Sequence, residues 1–113
     1  MPLALAFLQR YRGHVTAMFC CNDNMAFGVL RACAQLGVRC PQDLSLVGYD
    51  NDPRGERSKP PLTTIDVPLY ELARDATVRL LTRLTSGGSS DAFFRPALNA
   101  VALIERQSVR TLR

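Results

Sequence analysis

Apolar positions change their spacing along the chain in a way that separates strands from helices. From Val15 to Cys21 (VTAMFCC) they follow one another without alternation and include a β-branched residue, the pattern of a parallel strand covered on both faces. In the segment that follows, Met25, Val29, Cys33 and Leu36 recur at helical spacing. Asn22 and Asp23 offer side chains for its N-cap, and Gly37 supplies the stop. After a turn at Pro41, Gln42 and Asp43, a second unbroken apolar run spans Leu44 to Tyr49 (LSLVGY). Strand, helix and strand in that order predict a βαβ unit with a right-handed crossover, and therefore a parallel sheet.

Helix formers from Pro2 to Tyr11, ended by Gly13, predict a short helix at the start. From Asp50 to Pro61 (DNDPRGERSKPP) the chain is polar and broken by prolines, and reads as a loop. Leu62 to Ile65 is extended. Pro68 suits the first position of a helix whose Leu69, Leu72, Ala76, Leu80 and Leu84 form an amphipathic stripe ending at Gly87 and Gly88. An exposed turn over Ser86 to Ser90 and a last strand from Ala100 to Glu105 (AVALIE) precede an arginine-rich tail. The expected fold class is α/β, a parallel sheet flanked by helices.

A chain of 113 residues, 47% of them hydrophobic, can bury one core. Any apolar face that lacks an internal partner at this size becomes an association surface. The net charge of +4 comes almost wholly from arginines scattered between Arg10 and Arg113, with Lys59 the only lysine. No basic run is interleaved with aromatics, so the charge reads as a solvated surface rather than a nucleic-acid interface. Cys20, Cys21, Cys33 and Cys40 contain no CxxC pair, and neighbours in a strand point to opposite faces. They read as small apolar core residues in a reducing compartment, with no metal and no cofactor implied. No stretch is long and apolar enough to span a bilayer, and Met1 to Arg10 lacks the charged start and cleavage site of a signal peptide, so a cytoplasmic, membrane-free protein is expected.

In an open parallel sheet, ligands bind beyond the carboxyl ends of the strands. Asn22 and Asp23 follow the first strand there, and Asp50 and Asn51 follow the second. A carboxylate accepts two hydroxyl hydrogen bonds and an amide both donates and accepts, which suits a sugar. Against this, Asn or Asp between a strand and a helix commonly serves as a cap. Tyr49 and Phe27 could stack on a sugar, and Phe27 on a helix flank equally suits packing or an interface. Catalysis has little support: His14 has no nucleophile partner, and Asp50 and Asp52 beside a proline-rich loop read as solvated carboxylates, so no enzyme is expected.

The run TAMFCCNDNMAFGVLRACAQLGVRCPQDLSLVGYDN, then PPLTTIDVP and LIERQSV, resembles the C-terminal stretch of LacI/GalR-type repressors, with every block in order. The resemblance implies part of a periplasmic-binding-protein-like type I clamshell of two α/β lobes. The C-terminal lobe would take residues 1–66 and 96–110, and 67–95 would hold a helix and turn that pack on an N-terminal lobe absent from this chain. It implies effector contacts from Asn22 and Asp50, with Asn51, Asp66 and Val67 as further cleft positions. Asp23 is implied as more structural, though still near the cleft. Val67 stands where many members have Gln. Phe27 and Leu30 are implied at a homodimer interface. The implied role is sensing of a small-molecule effector, usually a sugar or purine in that family, with a sugar the expected class here, for a transcription regulator that meets DNA only through a helix-turn-helix head outside this chain. A fragment of a sugar-uptake receptor is the alternative.

Overall fold

The computed structural model describes residues 2–86 and 100–111. Along the chain run α1 (Pro2–Tyr11), β1 (Ala17–Phe19), α2 (Asp23–Leu36), β2 (Ser45–Val47), α3 (Arg54–Arg57), β3 (Thr64–Asp66), α4 (Leu69–Ser86) and β4 (Ala102–Ile104). Residues up to Asp66 together with those from Ala102 form one unit. The segment opening at Val67 and containing α4 forms another.

In the first unit, β1 and β2 pair in parallel with Met18 opposite Leu46. Thr63, just ahead of β3, meets β2 through an isolated parallel bridge to Val47 and through its carbonyl, which accepts the Gly48 N–H at 2.9 Å. The last strand departs from the expected parallel order and is shorter: β4 runs antiparallel to β3, with Thr64 opposite Ile104 and Asp66 opposite Ala102. The described strands thus form two two-stranded sheets, parallel β1–β2 and antiparallel β3–β4, linked by the single Val47–Thr63 bridge.

α2 begins where expected. Asn22 is extended (φ −156°), its side chain accepts the Met25 N–H at 2.8 Å, and Gly37 ends the helix in the left-handed region at φ 63°. Its buried face differs from the expected stripe. Met25 is 54% exposed, whereas Ala26, Val29, Leu30, Ala32 and Cys33 join Leu8, Cys20, Leu44, Leu46 and Leu62 in the core. The i, i+4 pair Ala26 and Leu30 turns inward. Leu30, expected at an interface with Phe27, is thus consumed by the chain's own core, while Phe27 stays half-buried beside it.

Three other expectations change. β1 is not covered on both faces: Phe19 is 60% exposed, and β1 pairs with β2 alone among the described residues. The loop from Asp50 to Pro61 contains one helical turn, α3, because Pro53 supplies φ −55° and the Gly55 N–H closes onto the Asp52 carbonyl at 2.8 Å. Cys21 is exposed, unlike buried Cys20 and Cys33 and half-buried Cys40, and all four are free thiols. Desolvation, reinforced by neighbouring charge, pushes the Cys20 and Cys40 thiols up to about 11.

The segment after β4 is tied down rather than trailing. Ser108 is fully buried; its hydroxyl donates to the Leu46 carbonyl at 2.5 Å and accepts the Thr63 N–H at 2.8 Å. In the second unit, α4 leaves Leu69, Val78, Leu80, Leu81 and Leu84 exposed, an apolar surface broader than the expected stripe. The stop expected at Gly87 and Gly88, the turn to Ser90 and the expected boundary at 95–96 lie outside the described residues. Among the described residues no helix is long and apolar enough to cross a membrane.

Candidate functional site

Parallel pairing of β1 with β2, and the isolated parallel bridge from Val47 to Thr63 just ahead of β3, bring the three carboxyl ends to one side of the first unit, where Asn22 and Asp50 follow β1 and β2 and Asp66 closes β3. The first two ends are bound together directly, since the Asp23 N–H donates to the Tyr49 carbonyl at 2.8 Å. The second and third are joined by the Asp50 N–H, which donates to the Ile65 carbonyl at 2.9 Å.

At the β2 end the backbone is unusual. Asp50 (φ 106°) and Asn51 (φ 52°) both lie at positive φ, which is costly for a residue with a Cβ and is sustained where the surroundings over-determine it. Asp50 is exposed, and no group among the described residues hydrogen-bonds or ion-pairs with its carboxylate. Asn51 is half-buried and engaged: Nδ2 donates to Asp66 Oδ1 at 3.0 Å, and Oδ1 accepts from Arg106 Nη2 at 2.9 Å.

The structure divides the predicted residues. Asn51 and Asp66 are brought together, and Asp50 presents its carboxylate outward. Asn22 is spent on the cap through Oδ1 while remaining half-buried at its strand end. Asp23 is removed from the cleft candidates. At 1% exposure it is buried, with Oδ1 accepting from the Thr64 hydroxyl and Oδ2 from the Asp52 N–H, each at 2.7 Å. Gly48 fits closely beside it, because a Cβ there would overlap Asp23 Oδ1 unless the buried carboxylate shifted. Val67 opens the second unit, where its carbonyl accepts the Leu69 N–H at 2.7 Å.

Arg54, Thr64 and Arg106 escaped the reading of the sequence. Arg54 reaches from α3 to Asp52 at 2.6 Å and to Asn24 at 2.6 Å, and its guanidinium carbon lies 5.1 Å from the Phe27 ring centroid. The hydrogen bonds from Arg54 hold the Asp52 carboxyl down to about 2. Thr64 and Arg106 lie in the LTTI and LIERQSV blocks, which carried the family resemblance without a side-chain role.

A groove of about 980 Å³ lies between α1, β1 and α2, lined mainly by apolar residues such as Leu3, Phe7, Met18, Phe19 and Met25. It offers few partners for hydroxyl groups, so the polar strand ends remain the better match to a polar ligand. Among the described residues no three His, Cys, Asp or Glu side chains converge as a metal site. The His14 ring lies 3.2 Å from the Arg12 carbonyl, on the turn before β1 and apart from the strand ends.

Residues 3–109 match the sequence profile of the periplasmic binding protein-like domain. The chain is 36% identical over 97 residues to the HTH-type transcriptional repressor PurR of Vibrio atlanticus, a match covering 86% of this chain and 28% of the repressor. It is 37% identical over 98 residues to the ribose operon repressor of Haemophilus influenzae, covering 87% and 29% respectively. Among solved structures, a LacI family transcriptional regulator from Enterococcus faecalis with bound ribose superposes with a TM-score of 0.82 at 34% identity, covering 97% of this chain and 40% of that one. The chain thus spans under a third of the length of these curated repressors. Both curated relatives are repressors.

Proposed function

Since the chain belongs to the periplasmic-binding-protein-like domain family and matches its LacI/GalR-type regulators, we propose that it forms the C-terminal part of an effector-sensing core in a transcriptional repressor. Asp50 is the principal ligand contact, accepting sugar hydroxyls, with Asn22 and Asn51 beside it. The observation that carries this reading is the left-handed Asp50–Asn51 pair, which presents an unpaired carboxylate at the end of a parallel strand. Effector binding shifts an equilibrium between lobe arrangements, and a helix-turn-helix head converts that shift into a change in DNA affinity. Asp66, which accepts from Asn51 Nδ2 at the end of β3, is a further cleft position, and Val67 follows it in the chain. The Phe27 face of α2 serves a homodimer, and α4 packs on the N-terminal lobe.

The test is calorimetric titration of ribose and a panel of mono- and disaccharides into the full-length protein that carries this chain. Asp50→Ala removes a charged acceptor and is expected to weaken the bound sugar roughly 10- to 100-fold, with operator affinity retained. Unchanged sugar affinity in that variant removes Asp50 from the site. The isolated chain, with half of a cleft, is expected to bind sugars weakly; a Kd below about 10 μM would show that these strand ends suffice alone.

A further inference from the structure

Arg106 has no part in that reading, and yet its side chain is only 12% exposed. Nη1 donates to the Leu62 carbonyl at 2.9 Å and Nη2 to Asn51 Oδ1 at 2.9 Å, with Glu56 Oε1 at 3.4 Å. Its backbone N–H donates to the Thr63 hydroxyl at 3.0 Å. Gly55 closes over the guanidinium, where a Cβ would stand 3.3 Å from Nη1. The side chain is therefore fixed from several directions by residues far away in sequence.

A guanidinium only donates, so it can meet the carboxamide of Asn51 only at oxygen. That leaves Nδ2 of Asn51 to donate to Asp66 Oδ1, as observed. Both ends of the Asn51 side chain are thereby assigned, one to Arg106 and the other to the last residue of β3. Asn tolerates positive φ; Asp50 beside it, at φ 106°, does so at greater cost and needs the surroundings to hold it.

We propose that Arg106 is a positioning residue for the Asp50–Asn51 turn: by orienting Asn51 against Asp66 it keeps Asp50 in the conformation from which its carboxylate meets ligand. The consequence for ligand rests on the function proposed above; the consequence for the turn does not. Lys cannot replace Arg here, because an ammonium lacks the planar fork that reaches Leu62 and Asn51 together.

The experiment compares the chain with Arg106→Gln, Arg106→Lys and, as a control, Ser108→Ala, which disturbs the neighbouring buried hydroxyl without touching Asn51. Three-bond HN–Hα couplings of Asp50 and Asn51 and the Asn51 side-chain amide shifts report the turn by NMR. Ribose affinity is measured in the full-length protein. Both Arg106 variants are expected to move the couplings and amide shifts and to weaken ribose about tenfold or more. Ser108→Ala is expected to lower the melting temperature with those signals in place. Unmoved couplings in Arg106→Gln overturn the proposal, as does a moved turn with ribose affinity intact. A wild type that binds no sugar in the panel sinks the sugar reading alone, and the couplings still decide on Arg106. Should the variants fail to fold, the wild-type guanidinium decides: slowly exchanging, rotation-restricted Nη protons are expected for Arg106, and averaged, fast-exchanging ones overturn its role.

Discussion

The Asp23 carboxylate accepts the backbone N–H of Asp52 at 2.7 Å, so the first residue of α2 holds the far side of the turn that follows β2. Its own N–H donates to the Tyr49 carbonyl on the near side at 2.8 Å. Asp50 and Asn51, the pair at positive φ, lie between these two bonds. Asp23 is a brace for the candidate ligand turn.

Asp23→Ala leaves the Thr64 hydroxyl and the Asp52 N–H without an acceptor in a buried place. At about 1–3 kcal/mol for each stranded group, the loss is expected to reach about 2–6 kcal/mol, a large part of a small domain's stability. Asp23→Asn keeps one acceptor oxygen and is expected to lose less. Urea unfolding measures both, and an alanine variant as stable as wild type would remove the brace.

Gly48→Ala places a methyl against Asp23 Oδ1 and 3.1 Å from Leu62 Cδ2. Overpacking of this kind costs about 1–3 kcal/mol. Removing the Asp23 side chain makes room for the methyl, so the double variant is expected to be less destabilised than the sum of the singles. Strict additivity in a double-mutant cycle would show that the two sites are independent.

Asp52 is held at about 2 chiefly by its hydrogen bonds to Arg54. Its folded value lies below the unfolded one of about 3.9, so the pair adds stability above roughly pH 4 and loses that addition as pH falls toward 2. In Arg54→Ala the Asp52 carboxyl is expected to titrate higher than in wild type, observable as its ¹³C shift against pH, while the backbone N–H of residue 54, which donates to Asp52 Oδ1 at 2.8 Å, still holds it below the ordinary value. The stability difference from wild type is expected to shrink over the same window. A titration unmoved by the substitution would dissociate Arg54 from Asp52.

Thiol reactivity is expected to be split. Cys21 is exposed, while burial raises Cys20, Cys33 and Cys40 above the ordinary thiol value. At pH 8 an aromatic disulfide reagent is expected to modify Cys21 rapidly and the other thiols only as the chain opens, with all four reacting in denaturant. Rapid native labelling of Cys33 would contradict the packing of α2.

α4 exposes Leu80 at 58% and Leu84 at 71%, surface that favours association of the isolated chain. Leu80→Glu and Leu84→Glu are expected to reduce the mass measured by light scattering while leaving helicity unchanged. A chain that is monomeric before and after both substitutions would show that this face drives no association.

Local features were legible because their causes lie within a few residues. The Asn22 cap acts over three positions, Gly37 stops α2 where only positive φ continues the chain, and the unbroken apolar runs marked β1 and β2. The same local logic put Asp50 at a strand end. Which face of α2 turned inward was settled by the sheet it covers, taking Leu30 into the core and leaving Met25 outside. The antiparallel β4, the brace at Asp23 and the grip of Arg106 on Asn51 were likewise beyond local reading. Thr64 meets Asp23 across 41 positions and Arg106 meets Asn51 across 55. A hydrogen bond depends on distance and angle in space, and periodicity carries no information about partners so far apart in the chain.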